Sequence, residues 1–127
     1  RGYWKPLHAG ASGLALLSFL DDATQAEVLA TPHMSRETSQ TIIDPVELRK
    51  KIATVRAKGY ALTRGQLIAG VVGLGAPVFH PDGRLLGSMY VSIPEQRFVD
   101  RREEPIAASL LACCAAFTSE LASGLTR

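Results

Sequence analysis

Few residues in this chain are candidates for chemistry. Ser12 lies in Gly10-Ala11-Ser12-Gly13, a run of small residues that superficially resembles a nucleophile elbow. An elbow needs a strand before the serine and a separate acid and histidine to complete a triad. No such partners are identifiable by spacing, so a small hydrolase is the weakest reading. Ser12 fits better as an amide and hydroxyl contact to a ligand, with tight helix packing as the alternative. His8 has apolar neighbours and reads as a structural or capping histidine, while His33 and His80 fall in loop and turn. Cys113 and Cys114 are adjacent, and adjacent cysteines would close a strained ring. No further ligand is spaced to hold a metal with them. They read as packing residues in a reduced, cytoplasmic setting. Gly70, Gly73 and Gly75 lack the lysine and hydroxyl of a phosphate cradle. Neither a cofactor nor a metal is expected.

The elements that would position a site centre on Gly59 to Pro94. Val71, Val72, Leu74, Val78 and Phe79 form one apolar run, and Leu85, Leu86, Met89, Tyr90, Val91 and Ile93 form a second. Pro81-Asp82-Gly83 lies between them. Proline pre-sets one φ, and glycine accepts a positive one, so the three predict the turn of a hairpin. Glycines inside the first run remove side chains and admit another group to the backbone. The hairpin is therefore either ordinary core or the wall of a ligand cavity, the glycines in the second case enlarging it.

The remaining elements follow from local signals. Ala9–Leu20 predicts a buried helix closed by Asp21-Asp22-Ala23. Thr24 with Glu27 has the spacing of a capping box for a short helix to about Ala30. Thr31–Thr41, polar and holding Pro32, predicts a loop. Asp44-Pro45 predicts a helix start, with Val46, Leu48, Ile52 and Val55 as its apolar stripe, Lys51 and Arg56 among its solvated residues, and Gly59 as its stop. Tyr60–Leu62 predicts a short strand, and Thr63–Ala69 a connection of undefined form. A last helix is expected from Arg101 to Leu125, packing through Ile106, Leu110, Leu111, Phe117 and Leu121. Helices around an antiparallel sheet define an α+β fold.

Bulk properties exclude several classes. The chain has 127 residues, 46% hydrophobic and 20% charged, enough for one domain with a core. A formal charge of +2 gives no argument for nucleic acid or membrane partners. No stretch is expected to span a bilayer. The opening Arg1-Gly2-Tyr3-Trp4-Lys5-Pro6 reads as the end of a strand or loop, so a fragment is expected.

Three blocks, Pro6–Leu17, Leu48–Tyr60 and Gly70–Pro94, resemble in order the effector-binding domain of IclR-type bacterial transcription regulators. The resemblance implies a GAF-like fold, an antiparallel sheet flanked by helices and truncated at its N-terminus. Residues 1–127 would then be one effector-binding domain, sensing a carboxylate or aromatic metabolite. Homodimers or homotetramers are implied, and DNA binding through an N-terminal domain absent from this chain. The family's pocket uses amides that fall on Ala11 and Ser12, with Gly10 and Gly13 beside them. Its other polar positions fall on Thr63, Gly73, Tyr90 and Ser92, and Val71 and Met89 would add apolar wall. Thr63-Arg64-Gly65-Gln66 stands in place of the family's acidic cluster, and with the strand glycines it predicts an anionic or less polar effector, of aromatic size rather than a two- or three-carbon acid. An oligomerisation domain with a degenerate pocket is the alternative.

Overall fold

Helix boundaries in this chain are written in capping groups. Asp44 accepts a hydrogen bond from the Val46 N–H at 3.2 Å, and Pro45 occupies the first helical position. The helix ends on Gly59 at φ 88°. One start was misassigned: Asp21 rather than Thr24 caps the second helix, accepting from the Thr24 N–H at 2.8 Å. A carboxylate reaching forward three residues outcompetes the Thr24 hydroxyl, which itself donates to Asp21.

The computed structural model describes residues 10–30 and 38–125. Within them lie α1 (Ala11–Ser18), α2 (Asp22–Leu29), α3 (Pro45–Lys58), β1 (Ala61–Arg64), β2 (Val71–Phe79), β3 (Leu85–Pro94) and α4 (Glu103–Leu125). Two 3₁₀ turns, Glu95–Arg97 and Asp100–Arg102, lead into α4. The opening residues, His8, His33 and most of the Thr31–Thr41 loop lie outside the described residues.

The strands form one antiparallel sheet in the order β1-β2-β3, giving the expected α+β fold. Pro81-Asp82-Gly83 makes the predicted turn: Gly83 has φ 96° and donates its N–H to the His80 carbonyl at 2.8 Å. Central β2 is buried along nearly its whole length, whereas β3 is half-open to solvent.

Cores lie on both faces of the sheet. On one, Leu14 and Leu17 of α1 pack with Leu29, Leu48, Ile52, Val55 and Ala61. On the other, Val72, Leu74, Ala76 and Val78 meet Ala107, Leu110 and Cys114 of α4. Burial in α4 follows 107, 110, 114 and the half-buried Thr118, which donates to the Phe79 carbonyl at 2.7 Å. Phe117 is one residue out of phase and 44% exposed, contrary to the expected packing face. Cys113 is likewise exposed, and only Cys114 packs. Val46 leaves the α3 stripe for solvent, since it sits in the first turn beyond the edge of the core.

By length and composition the run Asp100–Gly124 is apolar enough to cross a membrane, with mean hydropathy 1.5, so the expectation that no stretch reaches that length is corrected. Its leucines, isoleucine, cysteines and phenylalanine supply most of that hydropathy, with the alanines adding to it. Here it lays one stripe on the sheet, and 17% of the apolar window is buried.

The tightest contact joins α1 to β2. A Cβ built on Gly75 would lie 2.6 Å from the Ala11 carbonyl carbon and 3.1 Å from the Ser12 nitrogen. The neighbouring atoms are helix backbone and cannot give way. Gly75 therefore enlarges no cavity and instead admits the first turn of a helix, whereas Gly73 borders a cavity.

Near the start of α4, the Tyr60 hydroxyl donates to Glu103 at 2.6 Å, and Lys58 lies 3.5 Å from the same carboxylate. Burial, then the Glu103 hydrogen bond and charge, push the Tyr60 phenol up to about 12.

Two predictions follow from this packing. Gly75→Ala should lose about 3 kcal/mol of unfolding free energy in urea, while Gly87→Ala, with nothing within 4 Å, should lose none. Tyr60 favours its neutral form in the folded state, so its stabilisation is full below the ordinary tyrosine range and is lost as pH rises toward about 12. Urea midpoints measured at increasing alkaline pH should fall more steeply for the native chain than for Tyr60→Phe.

Candidate ligand-binding site

Among the described residues no side chain caps the amide end of α1. Leu14 is the first residue to donate within the helix, to the Gly10 carbonyl at 3.0 Å. The N–H groups of Ala11, Ser12 and Gly13 precede that bond and have no helical acceptor. Gly10 reaches the helix at φ 81° and ψ 156°, a conformation that a side chain opposes. The other end of α1 is satisfied: Arg56 donates to the Ser18 and Leu20 carbonyls, and Gln25 donates to the Leu17 carbonyl at 2.9 Å. Arg56, expected to face water, is thus the cation at the negative end of α1.

Sheet pairing sets hydroxyls beneath the open end. Thr63 pairs with Gly73, and Gly73 with Ser92, so the three form one row across β1, β2 and β3. The next row is Ala61, Gly75 and Tyr90. With a period of two, all of these lie on the face covered by α1. Ser88, on the same face, donates to the Ser12 carbonyl at 3.2 Å and ties β3 to the helix.

Gly10, Ala11, Ser12, Thr63, Val71, Gly73, Tyr90 and Ser92 line one cavity of about 110 Å³. Gly13 and Met89, expected among them, do not. Gly13 is buried one position farther along α1. Met89 has the opposite strand parity from Tyr90 and packs against the α4 core. Arg64 is similarly turned away from Thr63: it is exposed, pairs with Asp100 at 2.8 Å and stacks over Phe98 at 4.9 Å. It brings no charge to the cavity.

Two lining residues escaped sequence reading, Leu67 and Ile68. Leu67 lies over Gly10, where an added Cβ would come within 3.0 Å of its Cδ2. Both sit in the irregular β1–β2 loop, held from behind by Thr38 and Thr41, whose hydroxyls donate to the Gly65 and Gln66 carbonyls. An apolar pair amid polar and glycine residues was the available signal.

Among the described residues the lining contains no ionisable group except the Tyr90 phenol. The site offers backbone donors, the partial positive charge of a helix start, four hydroxyls and apolar walls. No acid, base and nucleophile converge there. A wider hollow of about 1110 Å³ at the start of α4 is an open trough, and its Lys58, Tyr60 and Glu103 are engaged with one another.

The sheet and the helix start above it thus border a small, hydroxyl-lined cavity. Residues 1–119 match the family described as bacterial transcriptional regulator IclR C-terminal, and the chain belongs to that family. These regulators are not enzymes. Similar proteins include the HTH-type transcriptional regulator Rv1719 of Mycobacterium tuberculosis, 34% identical over 84% of this chain and 40% of its own length. A crystallised IclR regulator from Silicibacter sp. TM1040 is 33% identical with a TM-score of 0.86, covering 92% of this chain and 46% of that one. The C-terminal domain of Escherichia coli KdgR has the same TM-score, 0.86, at 25% identity over 94% of this chain and 73% of that one. The chain spans 35% of the length of the similar regulator ArcR of Halobacterium salinarum.

Gly10→Ala should cost about 2 kcal/mol through its φ and displace Leu67. Urea denaturation and the Leu67 methyl chemical shifts check both effects.

Proposed function

We propose that this chain is the effector-sensing domain of a transcription regulator, and that its effector is a short monocarboxylate. The cavity volume carries the reading. About 110 Å³ is smaller than the roughly 150 Å³ of an engineered apolar cavity that accepts benzene, so an aliphatic acid of a few heavy atoms fits better than an aromatic one. This replaces the larger effector expected from the strand glycines, since α1 fills the space at Gly75. The carboxylate would accept from the Ala11 and Ser12 N–H groups, with Ser92, Thr63 and Tyr90 hydroxyls around its polar substituents. A helix start supplies about half a unit of positive charge, and among the described residues no cationic side chain lines the cavity with it, which favours one negative charge over two.

Binding would alter transcription only if the ligand prefers one arrangement of α1, the β1–β2 loop and the sheet over another. The output would pass to an N-terminal DNA-binding domain, within a homodimer or homotetramer. An oligomerisation domain without a ligand is the second reading, supported by the small cavity and the exposed apolar residues of α4.

Calorimetric titration with two- to four-carbon monocarboxylates and with benzoate tests the assignment. A short acid should bind saturably, and Ser92→Ala should weaken it roughly ten-fold, the worth of one hydrogen bond to a charged group. Binding of benzoate alone would overturn the size assignment. Heat from neither would leave the oligomerisation reading in place of the sensor.

A further inference from the structure

The walls of the cavity under α1 differ in stiffness. Helix α1 cannot yield toward the sheet, because its backbone already touches β2 at Gly75. The strands are held in register by their pairing. Apart from Gly10 at the helix cap, Leu67 and Ile68 are the lining residues outside a helix or strand. Their segment is gripped at one end, where the Thr38 and Thr41 hydroxyls donate to the Gly65 and Gln66 carbonyls. Beyond that grip, the Ile68 carbonyl accepts from the Val71 N–H at 3.3 Å. Among the described residues, 67–69 make no other backbone-to-backbone hydrogen bond. The far end is Gly70, at φ 77°, where an added Cβ would meet nothing within 4 Å. Its own carbonyl is fixed by the Glu95 N–H at 2.9 Å, so rotation there concentrates on the side of residues 67–69.

The second observation is exposure. Ile68 is 60% exposed and Tyr90 48%, although both border the cavity. One belongs to the loop and the other to β3, so the two flank the mouth from different elements. Leu67 already packs at Gly10, and its neighbour Ile68 is left outside. An isoleucine in water beside an opening with apolar walls forgoes burial that a small swing of its own segment would supply.

We propose that residues 67–69 are a lid, turning on Gly70, that carries Ile68 over a bound effector toward Tyr90. The proposal rests on the sensor reading of this cavity and gives it a moving part. Closure also supplies what that reading requires, a shape that the occupied domain adopts and the empty one does not. The element that moves is the one wall that neither helix backbone nor strand pairing holds still.

The test titrates isotope-labelled chain with acetate, propionate and butyrate in turn, beside a soluble gadolinium chelate that relaxes solvent-exposed methyl groups. Shifts of the Ala11 and Ser12 amides report binding. On saturation the relaxation of the Ile68 methyls should fall by about half or more, while Val46, exposed to a similar degree on α3, keeps its own. Ile68→Ala should raise the dissociation rate roughly ten-fold and change the association rate less than about three-fold. The side chain is exposed, so its truncation does not endanger the fold. Amide shifts with unchanged relaxation at Ile68 would overturn the lid and leave the sensor standing. An unchanged dissociation rate in Ile68→Ala would do the same. No amide shift with any of the three acids would remove both readings.

Discussion

Everything in this domain is arranged around a helix lying closer to a strand than side chains ordinarily permit. At Gly75 the backbone of Ala11 and Ser12 occupies the volume where a Cβ would be. At Gly73 the Ala11 methyl and the Thr63 hydroxyl take up the slack, with the would-be Cβ 3.0 and 3.1 Å away. That proximity brings an amide-bearing helix start directly over a row of strand hydroxyls. With a larger residue at either position, the helix would ride higher and the enclosed space would open to water.

The same helix shows how a small fold separates stability from binding. Its carbonyl end is neutralised by Arg56 and Gln25, and its leucines fill one core. Its amide end has no capping side chain among the described residues. Dipole and hydrogen-bonding potential are thus satisfied where the helix is anchored and kept available where the cavity lies. The second core, under α4, lies on the opposite face of the same strand.

What was legible in the sequence was mainly local. Asp44-Pro45, Gly59 and Pro81-Asp82-Gly83 each act within a few residues, so their types sufficed to place a helix start, a helix stop and a turn. The family blocks located most of the cavity lining. What failed depended on contacts distant in sequence. Nothing near Gly75 reveals that a helix backbone sixty-odd residues earlier will fill its vacancy, so the glycines were read as space rather than contact. Met89 and Arg64 were placed by resemblance, but strand parity turns them to the other face. Leu67 and Ile68 have no periodicity to betray them, and Phe117 missed its stripe by one position in a helix where small apolar residues blur the register.

Tyr90 belongs to two environments at once. Its side chain borders the hollow under α1, yet its strand is a rim of the sheet, with Leu86, Tyr90 and Val91 substantially solvated. Backbone groups along such a rim can accept another ribbon. Whatever docks there would cover the same phenol that a guest molecule touches from within. Were a second chain to pair along that margin, its contact and the occupancy of the interior would be linked, each altering the energetic cost of the other.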